Sequence, residues 1–392
     1  MGALTDLYVS ASSIEARRAR PGIEVTAFFL PALQTLYYQH SAPLDWHAPA
    51  LRRLRRLYLH DVGSRVETPT LTFDAFLRIL QECQGLEELM LNLRLWPFNA
   101  YSGPNGSRNM SSDVTVHLPS ISMARFLCPA SSEPDSPEIF HLLSHFRLPA
   151  TAEVYVCSQV FDQENRGYGG FLHTIPQDES CLEILTKATA GSISLTSFLV
   201  EVDGCSGQGR LFVTLRDTYY GRFDQWSYAP KQRLADFCTL FARSPLQELI
   251  VGAHFEGKAW CRLLRKFPGL RSLTIGGSFV LGEDLSRMFR DVMHALKKVK
   301  KDELLAPALR SLALEDMALN RNQLRTLVNS LMVRNKRQRK LSILRLRLYR
   351  EMYAGGRRDP TFTEVLGDLG LDGDALVDGQ IILEYPSQED ST

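Results

Sequence analysis

The amino-acid sequence predicts an α/β fold: an irregular solenoid with a parallel sheet on one face and helices on the other. Three observations carry this. One short frame, L-x-x-L-x-Φ with Φ a large apolar or aromatic residue, recurs at residues 33–38, 54–59, 86–91, 246–251, 270–275, 309–314 and 341–346, as in Leu86-Glu-Glu-Leu89-Met-Leu91. Segments of helical period alternate with these strands. Most of the strand segments also follow a Pro or Gly, which breaks whatever precedes them. Neither element can bury its apolar face alone, so successive units must stack, as in a leucine-rich-repeat-like array.

The elements follow in order. Phe73, Phe76, Leu77 and Leu80 fall at i, i+3, i+4 and i+7 ahead of the Leu86 strand, with Thr72 as cap and Gly85 as terminator. Leu234, Phe237, Cys238 and Phe241 repeat this before Leu246, and Trp260, Leu263, Leu264 and Phe267 before Leu270. Leu285, Met288, Phe289, Val292 and Leu296 precede Leu309, and Leu324, Leu327, Val328 and Leu331 precede Leu341. The anchors stand about 21 to 39 residues apart, except across an irregular middle region, about 92–245. There, a helix opening at Ser136-Pro137 leads to a strand at 154–156, and strands over 195–202 and 211–215 are joined by GCSGQGR as a hairpin. Residues 97–113 and 216–231 are read as a polar loop and an unassigned Tyr-rich stretch. Residues 1–350 thus form the solenoid, and 351–392 a C-terminal cap with a short strand at 381–383 and an acidic tail from Ser387.

Of the 392 residues, 44% are hydrophobic and 23% charged, ordinary values for a folded chain. Lys and Arg total 45 against 44 Asp and Glu, so no global field recruits nucleic acid or an anionic membrane. The 7 cysteines show no CxxC pairs or regular spacing, which argues for a reducing compartment. The first residues lack the pattern of a secretory signal, and no apolar run approaches the roughly 20 residues of a membrane span. A cytoplasmic or nuclear location without membrane partners is expected, and the sequons at Asn105 and Asn109 are read as chance matches.

The stretch APALRRLRRLYLHDV, followed by FDAFLRILQECQGLEELML, resembles the strand, helix and strand succession downstream of the F-box in the large F-box families of mushroom-forming fungi. VHLPSI followed by IFHLLSHFRLPA is similar to their "LP-x-L … LLSHL-x-LPA" segment, and APALRSLALED echoes the first. The resemblance covers most of the chain through short, Leu-rich motifs. It implies the substrate-binding region of a ubiquitin-ligase receptor. Family members begin with an F-box opening "LP-x-E-L-L-x-x-I", which docks a Skp1-type adaptor; residues 1–30 carry no such opening. Adaptor recruitment is therefore expected only of a longer chain with that module upstream.

Chemical motifs are sparse. His141 and His145 sit at i, i+4, a spacing able to share a metal, but no Glu follows His141 as in a zincin and no third ligand is nearby. The glycines of GCSGQGR lead into a strand, which suits a turn rather than a phosphate loop. The basic clusters at 297–301 and 334–340 fall at helix C-termini, where cations favour the dipole. The second runs on to Arg345, Arg347 and Arg350 and carries the alternative of a nucleic-acid-associated or nuclear protein. Enzyme activity, cofactors and metals are not expected. Outward strand positions form a ladder that includes Arg56, Tyr58, His60, Glu88, Met90, Glu248, Thr274, Glu315, Arg345 and Arg347. These are the expected contacts for a protein partner.

Overall fold

The structure is a computed structural model, and it describes residues 4–10, 30–39, 49–60, 73–92, 113–127, 137–160, 170–195, 199–217, 230–252, 255–276, 282–300, 303–348 and 361–384. Along the chain come β1 (Asp6–Ser10), β2 (Thr35–Gln39), β3 (Arg56–His60), α1 (Phe73–Glu82), β4 (Glu88–Asn92), β5 (Val116–His117) and β6 (Met123–Leu127). Next are α2 (Pro137–Ser144), β7 (Phe146–Arg147), β8 (Glu153–Val160), α3 (Phe171–Thr174), α4 (Ile184–Lys187), β9 (Ala190–Leu195), β10 (Leu199–Ser206) and β11 (Gly209–Asp217). The remainder is α5 (Pro230–Leu240), β12 (Glu248–Gly252), α6 (Gly257–Lys266), β13 (Ser272–Gly276), α7 (Gly282–Lys297), β14 (Val299–Lys300), β15 (Glu303–Leu304), β16 (Ser311–Met317), α8 (Arg321–Lys336), β17 (Leu341–Leu348), α9 (Phe362–Asp368) and β18 (Val377–Glu384). The fold is α/β with mostly parallel strand pairing, in two compact units: Met1–Lys187 with Cys205–Ser227, and Ala188–Gly204 with Tyr228–Thr392.

In the first unit the strand order is β1-β2-β3-β4-β6-β8-β11, every neighbour parallel. The register aligns Leu36, Leu57, Leu89, Ala124, Val154 and Leu211 in one row, each no more than 3% exposed. The apolar stripe of α1, Phe73, Phe76, Leu77 and Leu80, is buried with them, and Cys83 donates its thiol to the Leu51 carbonyl at 3.2 Å. Removing such contiguous apolar area from water stabilises the unit by roughly 25 cal/mol per Å².

The second unit repeats the plan over β9-β12-β13-β16-β17-β18, again parallel throughout, with β10 beside β9. Leu249, Leu273, Leu312 and Leu344 share a row and are 0–1% exposed. Trp260, Leu263, Leu264 and Phe267 of the α6 segment are buried, as are Met288, Phe289, Val292 and Leu296 of α7 and Leu324, Leu327, Val328 and Leu331 of α8. Asn320 caps α8 through a capping box with Gln323, and Thr361 caps α9 in the same way with Glu364.

One backbone device links rung to rung. The carbonyl of the residue after the first leucine of the frame accepts two successive N–H groups from the next strand. Gln34 takes those of Arg55 and Arg56 at 2.8 and 3.0 Å, and Arg55 those of Glu87 and Glu88 at 2.7 and 3.0 Å. Gln247, Arg271 and Arg310 do the same at 2.7 to 3.0 Å in the second unit. A carbonyl has two lone pairs, so both bonds are satisfied, and the register is pinned at the same place each time.

Some expectations need adjusting. β9 ends at Leu195, so the strand placed over 195–202 is split, with β10 over Leu199–Ser206. The turn before β11 lies at Gly207, at φ +63°, within the glycine-rich stretch read as a hairpin. The terminal strand is longer than expected and pairs in parallel with β17. Thr72, the loop and sequons over 97–112, most of 216–231, Arg350 and the tail from Ser387 lie outside the described residues.

Candidate functional site

Side chains alternate along each strand, so while the leucines face the core the residues between them line the opposite face of the sheet. In the first unit the middle outward row reads Tyr8, Tyr37, Tyr58, Met90, Arg125, Tyr155, Phe212, one residue from each of β1, β2, β3, β4, β6, β8 and β11. The rings contact one another: Tyr8 stacks on Tyr37 with centroids 5.8 Å apart and 27° between planes, and Tyr37 meets Tyr58 at 6.2 Å and 41°. At the other end Arg125 lies over the Tyr155 ring at 5.1 Å, Tyr155 meets Phe212 at 6.0 Å, and Arg210 covers Phe212 at 5.5 Å. Tyr8 is 70% exposed; Tyr37, Tyr58, Met90, Tyr155 and Phe212 are half-buried.

The neighbouring row carries charges of both signs. It reads Asp6, Thr35, Arg56, Glu88, Met123, Glu153, Arg210. Arg56 Nε lies 3.2 Å from Glu88 Oε1, and the Tyr58 hydroxyl donates to Glu88 Oε2. Burial first, and then that bond, pushes the Tyr58 hydroxyl up to about 12. The Tyr37 hydroxyl donates to Gln39 and that of Tyr155 to Glu153, both at 3.2 Å. Hydrogen bonds from Thr35 and Thr5 hold the Asp6 carboxyl below its ordinary value.

Of the expected contact residues, Arg56, Tyr58, Glu88 and Met90 come together on this face, with His60 in the next row opposite Asn92. The others lie in the second unit. Ile250, Thr274, Ala313 and Arg345 form one row there, with Glu248 in the row that holds Ser272, Ser311 and Ile343. Glu315 pairs in register with Gly276, while Arg347 reaches Asp316 Oδ1 at 3.3 Å. This second face is mixed, with exposed Ile250 and Ile343 among Ser, Thr, Glu and Arg side chains, where the first is aromatic.

The remaining motifs have structural partners. His141 and His145 meet edge to face at 4.9 Å, and Phe73 lies 5.4 and 5.3 Å from the two rings. His145 Nδ1 is 2.9 Å from the Val114 carbonyl, and among the described residues no group of three His, Cys, Asp or Glu could hold a metal ion. In the 334–340 cluster, Arg334 is 1% exposed and donates to the carbonyls of Leu305, Ala306 and Leu309 at 3.4, 3.1 and 3.4 Å. Burial brings it down to about 10, still charged at neutral pH. Lys340 Nζ lies 3.1 Å from Asp378 Oδ1. A cleft of about 700 Å³ runs along α5, α6 and α7, with Glu256 and Asp291 set among Lys258, Arg262 and Lys298.

Tyr8, Tyr37, Arg125, Tyr155 and Phe212 were not among the expected contact residues. The signal was present: each directly follows the residue that the register sets in the row of Leu57, namely Leu7, Leu36, Ala124, Val154 and Leu211, as Tyr58 follows Leu57. β1 itself carries the frame as Leu4-Thr-Asp-Leu7-Tyr-Val9. No protein-family model matches the chain, and no curated protein sequence does.

Proposed function

We propose that this chain is a non-enzymatic recognition protein of leucine-rich-repeat-like, solenoid construction, resembling the substrate-binding region of an F-box ubiquitin-ligase receptor, and that it takes a protein partner on the sheet face of its first unit. The observation that supports this most is the Tyr8 to Phe212 column, an array of Tyr, Met, Arg and Phe on a parallel sheet. These residue types are enriched at the centres of protein interfaces. Recruitment of a Skp1-type adaptor belongs to this reading only for a longer chain with an F-box upstream. A cytoplasmic or nuclear setting accords with Cys83, Cys181, Cys238 and Cys261, thiols buried in the core.

The test is affinity capture with the wild-type chain and with a Tyr58→Ala/Met90→Ala variant, followed by quantitative mass spectrometry. Proteins retained by the wild type and depleted on the variant support the reading. A set of captured proteins indifferent to the substitutions removes this face as the docking surface.

A further inference from the structure

The recognition reading leaves the partner's chemistry open, and the geometry of the column narrows it. The Tyr8 and Tyr37 rings are stacked and the Tyr58 ring is tilted against Tyr37, so the faces turned along the row meet a neighbouring ring. At the far end Arg125 and Arg210 cover the faces of Tyr155 and Phe212. Side chains stand roughly perpendicular to a sheet, so rings stacked along the row turn their edges outward beside Met90, and the most exposed ring is Tyr8, at the end of the row. A base or a sugar stacks on ring faces and finds few here; an aromatic side chain meets a ring edge well, because the positive edge attracts the negative face of a second ring.

Charge points the same way. Asp6, Glu88 and Glu153 face Arg56, Arg125 and Arg210 across these two rows, three carboxylates against three guanidiniums. Arg56 is paired with Glu88, and Arg125 and Arg210 lie over rings. The hydroxyls of Tyr37, Tyr58 and Tyr155 donate to side chains of the same face. An anionic backbone finds no excess of cations to neutralise, and a partner that needs donors finds the protons of these three hydroxyls already engaged.

We infer that the partner is a polypeptide segment of no net charge that lays aromatic side chains, face down, on the ring edges of Tyr8, Tyr37 and Tyr58. This rests on the recognition reading above. Affinity then comes from dry aromatic contact, and it varies little with ionic strength, unlike phosphate recognition, which loses orders of magnitude between about 50 and 200 mM salt.

A displayed library of random peptides, selected on the full chain, tests this. The expected winners are rich in Trp, Phe and Tyr and carry no net charge. Their synthetic copies, measured by fluorescence anisotropy, change less than about twofold in Kd over that salt range, and Tyr8→Ala or Tyr37→Ala weakens them by roughly tenfold. Tyr58→Phe, which keeps the ring and drops the hydroxyl, binds like the wild type. Because Tyr8 is 70% exposed, its alanine variant tests the contact with the far-ultraviolet circular dichroism unchanged. Charged winners lost on Tyr37→Ala overturn the partner chemistry and leave the docking face standing. Winners indifferent to both alanine variants, or no enrichment at all, overturn both. Oligothymidine binding that is salt-steep and lost on Tyr8→Ala assigns the face to nucleic acid instead.

Discussion

Arg334 and Ala306 are joined by a buried hydrogen bond of 3.1 Å, from a guanidinium 1% exposed to the carbonyl of a residue held at φ +50°. The same guanidinium serves Leu305 and Leu309, so one side chain from α8 satisfies the turn that feeds β16. Truncating it takes the guanidinium donor from all three carbonyls; Ala306 keeps the Leu309 N–H at 3.2 Å, and each buried acceptor left without a donor costs about 1–3 kcal/mol. Arg334→Ala is expected to destabilise the second unit by about 3 kcal/mol in urea titrations. Arg334→Lys should recover little, because a single ammonium cannot reproduce the planar fork. Full recovery by lysine would show that charge alone suffices.

The histidine pair predicts a pH dependence. Burial, above all, lowers the His145 imidazole from its ordinary 6.5, with His141 and Arg147 adding to this against the Val114 carbonyl and Asp74. The unfolded chain therefore binds the proton more readily than the folded one. Stability from this site is complete above about 6.5, declines as the pH falls beneath it, and levels off once the folded imidazole is itself protonated. Urea midpoints taken between about pH 7 and pH 5 should drop more steeply for the wild type than for His145→Gln. Equal slopes would place the titration elsewhere.

Adjacent positions on β4 should respond in opposite ways. Leu89 is 1% exposed, so Leu89→Ala is expected to cost about 2–5 kcal/mol. Met90 is half-buried on the outward face, and Met90→Ala should cost less than about 1 kcal/mol while weakening partner capture. Comparable losses of stability would mean that the outward row is also packed as core.

Two glycines separate steric from conformational cost. At Gly276, φ is +129° and an added Cβ would lie 1.9 Å from the Glu315 carbonyl oxygen. Gly276→Ala must shift the β16 backbone and should cost at least about 3 kcal/mol. At Gly207, φ is +63° with nothing within 4 Å, so Gly207→Ala should cost only about 1–2 kcal/mol. Thermal melts of the two variants give the comparison.

The strands with full leucines were the legible part of the fold, and the middle was not, for a reason of volume. In β6 the frame survives as Ile121-Ser-Met-Ala124-Arg-Phe126, where Ala124 replaces the second leucine and Phe126 packs edge to face on Phe146 at 5.6 Å. Before and in β9 it shrinks to Ala188, Gly191 and Ile193, because Phe237 and the Asp203 carbonyl stand 3.3 Å from where a Gly191 Cβ would be. A partner residue supplies the bulk, and a leucine count cannot see it. The outward column escaped for a different reason: it exists only across strands, since sequence distance hides that Tyr8, Tyr37 and Tyr58 are neighbours. By contrast the pairing of Arg56 with Glu88 lay one register step from what the Leu57 and Leu89 frames imply.

The repeated double acceptance by Gln34, Arg55, Gln247, Arg271 and Arg310 uses main-chain atoms alone. Alignment between rungs is thus indifferent to the side chain at that spot and to its outward neighbours. Each strand can exchange its exposed letter for another without disturbing the scaffold's spelling. Under the recognition role proposed above, specificity is free to drift one strand at a time.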